Sequence, residues 1–244
     1  MGNKTLIGFF LVVLTIYSCK KDGGVCISST GNYAQENRGL EHFREIDVSG
    51  NTKIEVYPNQ AENRVEVIGG KHLLKGIETK VENNKLIINN LNRCNWLRSF
   101  KSTITVKIYT TDLNLITYRG SGDIVFMDTL LTDVFTLDSW DGSGDLTFLL
   151  NCRENYIHLH TGTTNVTLYG RTDFTYYYSL TTGFIYGQGM ACKRAFLAQR
   201  GYGDMYINPT EHLDAEIYKS GNIYSPGNIS INFKQYGSGQ LYTF

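Results

Sequence analysis

The amino-acid sequence predicts an all-β fold: a parallel β-helix, a solenoid of about 20 residues per rung, with an N-terminal strand-rich capping region. Three observations predict it. First, Gly120-Ser121-Gly122-Asp123-Ile124 recurs as Gly142-Ser143-Gly144-Asp145-Leu146, and weaker copies end at Val166, Ile185, Met205, Ile223 and Leu241. The closing apolar residues are separated by 22, 20, 19, 20, 18 and 18 residues, the period of units that bury an apolar face only by stacking on their neighbours. Second, 25 Gly and 17 Tyr against 3 Pro suit short strands punctuated by turns. Third, apolar and polar residues alternate with period two along most of the chain, and no segment keeps a helical period beyond about one turn. That pattern excludes a βαβ architecture.

Charge narrows the function. The 23 basic and 23 acidic residues cancel, so no net field draws in nucleic acid.

Residues 1–18 read as a lipoprotein signal peptide. Lys4 supplies the positive start, and Leu6 to Tyr17 is an apolar run too short to span a bilayer. Ile16-Tyr17-Ser18-Cys19 resembles the site where a bacterial lipoprotein is cleaved and acylated, which makes Cys19 the lipidated N-terminus. An ordinary secretory signal is the alternative. Several acyl chains anchor a protein stably, since each buried methylene contributes about 0.8 kcal/mol. The expected location is the cell envelope, at the outer membrane of a Gram-negative bacterium, on its periplasmic or surface face. Residues 19–40 are polar and Gly-rich and read as a flexible tether.

Residues 41–112 read as an N-terminal antiparallel strand region. Ile46 to Val48, Lys53 to Tyr57, Asn63 to Ile68, Ile77 to Val81, Leu86 to Ile88 and Thr103 to Tyr109 are its strands, and Glu82-Asn83-Asn84-Lys85 is a hairpin signal. Lys71 to Gly76 suits one helical turn. Asn89 to Lys101 is a polar loop containing Cys94 and Trp96.

Residues 113–244 form the repeat region. Each unit carries a strand just after the Gly motif, such as Ile124-Val125-Phe126 or Leu146-Thr147-Phe148. A second follows about ten residues later, such as Ile157-His158-Leu159 or Tyr176-Tyr177-Tyr178. Cys152 and Cys192 lie two repeats apart at nearly the same phase. Coils stack about 4.8 Å apart, which puts the two about 10 Å apart, beyond the roughly 7 Å Cα limit of a disulfide. They are expected not to pair, and Cys26 with Cys94 is the other pairing open to an exported chain. The chain stops at Phe244 soon after its last rung begins, which invites self-association through an open solenoid end.

The segments Phe43-Arg44-Glu45-Ile46-Asp47-Val48-Ser49-Gly50, Leu73-Leu74-Lys75-Gly76-Ile77-Glu78 and Leu86-Ile87-Ile88, followed by the Gly-Ser-Gly-Asp repeats at 120–123 and 142–145, carry a resemblance. In that order they resemble the putative auto-transporter adhesin family with the head GIN domain. The resemblance covers nearly the whole mature chain. It implies a secreted or lipid-anchored β-solenoid protein of a Gram-negative bacterium, and brings no catalytic residues with it.

Two columns are candidate sites. Asp123, Asp145 and Asp204 share a phase, but Asn165, Phe184, Asn222 and Gln240 interrupt it. These side chains are expected to bond to local backbone N–H groups and fix the turn, rather than to bind Ca²⁺. Tyr186, Tyr206, Tyr224 and Tyr242 each follow the repeat's closing apolar residue by one position, so they point outward on four successive rungs. They are the candidate ligand surface for a glycan or protein partner, with a purely structural packing ladder as the alternative.

For catalysis the sequence offers little. His158 and His160 share one strand face, while Glu154, Glu211 and Glu216 could pair with Asp residues across rungs. There is no nucleophile elbow, phosphate loop, Cys-x-x-Cys or His-rich spacing. The expectation is a lipid-anchored, non-catalytic cell-envelope solenoid, an adhesin or binding module for a glycan or protein partner, with no metal and no cofactor. The alternatives are a carbohydrate-active enzyme and a purely structural envelope protein.

Overall fold

The computed structural model describes residues 30–92 and 104–244. The signal segment, the acylation site Cys19, and Cys26, Cys94 and Trp96 lie outside the described residues. The remainder is built from seventeen strands. The first seven are β1 (Tyr33–Gly39), β2 (Glu45–Gly50), β3 (Lys53–Tyr57), β4 (Arg64–Gly70), β5 (Ile77–Glu82), β6 (Lys85–Asn90) and β7 (Thr105–Tyr109). There follow β8 (Leu115–Gly120), β9 (Ile124–Phe126), β10 (Leu130–Ser139), β11 (Asp145–Leu159), β12 (Asn165–Ser179) and β13 (Ile185–Gln199). The last four are β14 (Met205–Ile217), β15 (Ile223–Ser225), β16 (Ser230–Gln235) and β17 (Leu241–Thr243). One helical turn, Lys71–Leu74, lies between β4 and β5 and buries Leu73 and Leu74.

The chain forms about six turns of a β-solenoid. Parallel pairing is continuous from β8 and β9 to the C-terminal strands. The long strands β11 to β14 bend and serve two sheets at once. Leu146, near the start of β11, pairs with Ile124 of β9, whereas Leu159 at its end pairs with Ser139 of β10. Sheet 1 therefore contains β5, β6, β2, β8, the C-terminal halves of β10 to β14, and β16. Sheet 2 contains β1, β4, β7, β3, β9, the N-terminal halves of β11 to β14, β15 and β17. Gly170 marks one bend: its φ is +115°, and a Cβ there would sit 2.0 Å from the Leu150 carbonyl oxygen, so the position needs glycine on two counts.

The period-two pattern becomes two ladders that fill the interior. In sheet 1 it is Leu86, Ile46, Ile116, Leu137, Ile157, Tyr177, Leu197, Ala215 and Phe233. In sheet 2 it is Val106, Ile54, Ile124, Leu146, Val166, Ile185, Met205, Ile223 and Leu241. All but the terminal Phe233 and Leu241 are buried. Each such apolar side chain stabilises the fold by about 1.5–3 kcal/mol relative to exposure. Phe126, Phe135 and Phe148 meet between the sheets, with ring centroids 5.0 to 5.9 Å apart.

Two expectations change: Tyr33–Gly39, inside the expected tether 19–40, is the strand β1 paired with β4, and the region 41–112 differs from an antiparallel cap. The strands β2 and β3 are themselves a coil of the solenoid. β2 pairs in parallel with both β6 and β8, and β3 with both β7 and β9. Gly50, with φ +80°, is the corner that matches Gly120. The chain completes β2–β3, doubles back to lay β6–β7 on one side, then crosses to lay β8–β9 on the other. Antiparallel pairing is confined to β1–β4, β4–β7 and β5–β6, the last closed by the predicted hairpin with Asn83 and Asn84 at positive φ. Alternation has the same period in parallel and antiparallel strands, so the pattern could not separate the two. At the other end, β16 and β17 have one neighbouring strand each among the described residues.

Cys152, Thr172 and Cys192 occupy one column, with Thr172 between the two thiols. Both cysteines are buried and free, and the Cys152 Sγ lies 3.7 Å from the Thr172 hydroxyl.

Candidate functional site

The Gly motif turns out to be the structural corner. Successive corners stack so closely that a Cβ on Gly203 would lie 2.1 Å from the Gly183 carbonyl oxygen. Corner peptides facing the interior need partners, and buried polar side chains supply them. The Tyr118 hydroxyl donates to the Gly122 carbonyl at 2.7 Å and accepts from the Gly144 N–H at 3.1 Å. Gln199 donates to the Gly203 carbonyl and accepts from the Gly201 N–H. The Ser139 and Thr164 hydroxyls, also buried, lie 2.9 Å apart. Sequence reading missed these groups, because a polar residue at an inward position is indistinguishable from a break in the apolar pattern.

The Asp column points out of the corner and bonds between coils rather than within its own turn. Asp123 accepts from the Asp145 N–H at 3.0 Å, and Asn165 from the Phe184 N–H at 3.0 Å. Asp204 accepts from the Asn222 N–H at 2.8 Å, and Asn222 from the Gln240 N–H at 3.0 Å. Each link needs only a side-chain oxygen, so Asn replaces Asp freely along the column.

The four tyrosines do form an outward column. Tyr186, Tyr206, Tyr224 and Tyr242 are successive Cα partners. Their centroids are separated by 5.4, 4.6 and 5.1 Å with interplanar angles of 7 to 20°. Phe184 stacks on Tyr186 at 5.8 Å. The rings lie face to face along the axis, so each occupies the face of the next. What the strip presents to solvent is ring edges and hydroxyls. Tyr242, 48% exposed, ends the stack of the four. Partial burial pushes the Tyr206 hydroxyl pKa above its ordinary value.

A second aromatic surface covers the outer face of sheet 1. Tyr156, Tyr176 and Phe196 are partners in one column. Asp138, His158 and Tyr178 form the next, and Trp140 stacks on His160 at 3.8 Å in a third. Here many rings are crossed rather than stacked. Tyr156 meets Tyr176 at 70°, and His158 meets Tyr176 at 67° and Tyr178 at 80°. Further along, the Arg200 guanidinium lies 3.9 Å from the Tyr218 ring centroid and Tyr236 stacks on Tyr218 at 4.7 Å. The residues were visible as strand residues in the sequence. Their grouping depends on a coil-to-coil register that no single repeat displays.

Polar groups border this field. The Tyr156 hydroxyl donates to Glu154 at 2.7 Å, which raises the Tyr156 pKa. Glu216 accepts from the Tyr218 hydroxyl at 2.9 Å and pairs with Lys234 at 3.2 Å; the two hold its carboxyl below the usual range. Phe196, Asp214, Glu216, Asn232 and Lys234 line a depression of about 260 Å³, smaller than the roughly 300–1,000 Å³ of small-molecule sites. His212 pairs with Asp214 at 3.1 Å. A wider groove of about 580 Å³ runs past Cys152 and Cys192, and its cations are matched coil to coil. Arg153 pairs with Asp133 at 2.8 Å, Lys193 pairs with Asp173 at 2.7 Å, and Arg171 donates to Asn151 at 3.1 Å.

Fold and faces together define an adhesin-like solenoid, with a filled interior and its distinctive chemistry on the outer sheet faces. The chain belongs to the putative auto-transporter adhesin, head GIN domain family, whose sequence profile matches residues 42–228. Solved structures share the fold. A putative adhesin from Bacteroides fragilis superposes with a TM-score of 0.77 at 20% identity, covering 87% of this chain and 97% of that one. A putative adhesin from Parabacteroides distasonis gives 0.66 at 18% identity, with 88% and 98% covered. A putative lipid binding protein from the same species gives 0.60 at 18% identity, also with 88% and 98% covered. Among curated protein sequences none matches this chain.

Proposed function

We propose that this protein is a non-catalytic binding module of the cell envelope, held at the outer membrane by lipid on Cys19, that engages a glycan or protein partner through its outward aromatic columns. The observation that carries the reading is the outer face of sheet 1. Half-buried Tyr, Phe, His and Trp side chains are gathered there over several coils, with polar groups at the border. Tyr and Trp offer large contact area at low entropic cost and are enriched where proteins meet partners.

The rings of sheet 1 meet at mixed angles, crossed and stacked, across several coils, and this broad aromatic face suits a planar or apolar partner. The stacked strip Tyr186, Tyr206, Tyr224 and Tyr242 offers edges and hydroxyls instead, which suits hydrogen bonding more than ring stacking. Two features support a non-catalytic reading. A glycosidase working through two carboxyl groups needs one of them held protonated near neutral pH. Among the described residues, every carboxyl with a displaced pKa is displaced downward: Glu36, Glu55, Glu78, Asp133, Asp173 and Glu216. Glu154 and Glu216, candidates for paired carboxylates, are tied to Arg153 and Tyr156 and to Tyr218 and Lys234.

A glycan array and a surface-protein array, probed with the chain lacking residues 1–20, test this. Binding without turnover is expected, weakened at least about tenfold by Tyr176→Ala with Tyr178→Ala, since buried aromatic anchors dominate such interfaces. Loss through Tyr206→Ala with Tyr224→Ala alone would move the surface to sheet 2. Polysaccharide turnover would refute the non-catalytic reading.

A further inference from the structure

We propose that Asp138, His158 and His160 form a binding site for a divalent transition-metal ion of the zinc, nickel or copper kind on the outer face of sheet 1. The site lies within the aromatic face described above, and metal binding there is tested independently of the partner-binding role. Spacing within one repeat shows only two histidines, His158 and His160. The third group comes from the previous coil, where Asp138 is the Cα partner of His158.

The donor atoms already converge. His158 Nδ1 is 2.8 Å and His160 Nε2 is 3.6 Å from Asp138 Oδ1, and all three donors lie within 4.8 Å of one another. An ion about 2.0–2.2 Å from each of its ligands in tetrahedral geometry sets those ligands roughly 3.3–3.6 Å apart. The His160 separation already matches that spacing and the His158 one is shorter, so a small side-chain rotation admits an ion. Two imidazoles and one carboxylate suit borderline transition metals, whereas Ca²⁺ and Mg²⁺ take oxygen ligands.

The surroundings favour the same reading. Trp140 stacks on His160 with an interplanar angle of 9°, and Tyr178 lies against both histidines, which restricts the ring orientations. The neighbouring Arg119 commits its guanidinium to Asp47 at 2.6 Å, so that cation is directed away from Asp138. The three side chains are 23 to 31% exposed. An ion reaches them from solvent and keeps an open coordination position on the outer face.

The test is a calorimetric titration of the chelator-stripped chain with Zn²⁺, paired with Ni²⁺ quenching of Trp140 fluorescence. One ion per chain is expected, with quenching at the same stoichiometry. His158→Gln, His160→Gln and Asp138→Asn should each weaken Zn²⁺ binding by more than about tenfold, the least that changes around a metal site typically cost. His212→Gln, on the same face but paired with Asp214, should leave it unchanged. Circular dichroism identifies any variant that fails to fold, and the other two then carry the comparison. The proposal is overturned by the absence of saturable binding. It is equally overturned if binding survives the three substitutions unchanged, because the ion is then held elsewhere.

Discussion

Tyr118 and Tyr177 are both completely buried in the solenoid interior, and replacing each with phenylalanine removes the same single oxygen atom. The structure assigns the two changes opposite consequences. The Tyr118 hydroxyl bridges two corner peptides, at 2.7 Å to the Gly122 carbonyl and 3.1 Å from the Gly144 N–H. Without it, both backbone groups are buried and unpaired, at about 1–3 kcal/mol each. Allowing for relief of the hydroxyl's own desolvation, Tyr118→Phe should cost about 2–4 kcal/mol. The Tyr177 hydroxyl has no hydrogen-bond partner; Thr175 on the same strand directs its hydroxyl to Asn155. Removing an unpaired buried hydroxyl should leave stability unchanged or raise it by up to about 1 kcal/mol. Urea unfolding followed by circular dichroism and by fluorescence measures both, provided the two probes coincide, since repeat arrays can lose cooperativity. Equal costs for the two variants, or a larger cost for Tyr177→Phe, would refute the account of how the corners are satisfied.

Other consequences follow from the same packing. Gly170→Ala places a methyl group 2.0 Å from the Leu150 carbonyl oxygen at a φ of +115°, and should cost at least about 3 kcal/mol or abolish soluble expression. Asp204→Ala removes the acceptor for the Asn222 N–H and side-chain amide and should cost about 1 kcal/mol. Asp204→Asn keeps an oxygen there and should stay within about 0.5 kcal/mol of the parent in the same unfolding assay. Burial pushes the Cys192 thiol from 9.0 up to about 12, so the folded state holds a proton that the unfolded state loses above pH 9. Stability should therefore be complete below pH 9 and fall as pH rises toward 12. Burial raises the Tyr118 and Tyr177 hydroxyls as well, which acts in the same direction. Denaturant midpoints at pH 8 and pH 10 check the sign, and native Cys192 should resist thiol reagents at pH 8.

Local chemistry decided a good deal by itself. The spacing of the Gly corners and closing apolar residues specified a solenoid, because each repeat must place an apolar side chain inward at the same phase to be buried by its neighbours. The same phase placed Tyr186, Tyr206, Tyr224 and Tyr242 in one outward column, and set Cys152 and Cys192 two coils apart. The hairpin at Asn83-Asn84 was legible because positive φ at adjacent positions favours Asn. What alternation cannot encode is which strand lies alongside which. That is why β2 and β3 read as part of a cap, although they are a coil held between β6–β7 and β8–β9.

The same limit governs the candidate sites. The direction of the Asp column's hydrogen bonds, the crossed aromatic rings of sheet 1 and the meeting of Asp138 with His158 and His160 all depend on register between coils. A side chain's partners there lie eighteen to twenty-two residues away, so only stacking brings them within bonding distance. The tertiary structure also decided how the rings of the tyrosine column meet. Its period put the rings side by side along the axis, but stacking turned each face toward the next ring. In the folded chain the column is a strip of edges and hydroxyls, while the rings on the outer face of sheet 1 meet at crossed as well as stacked angles.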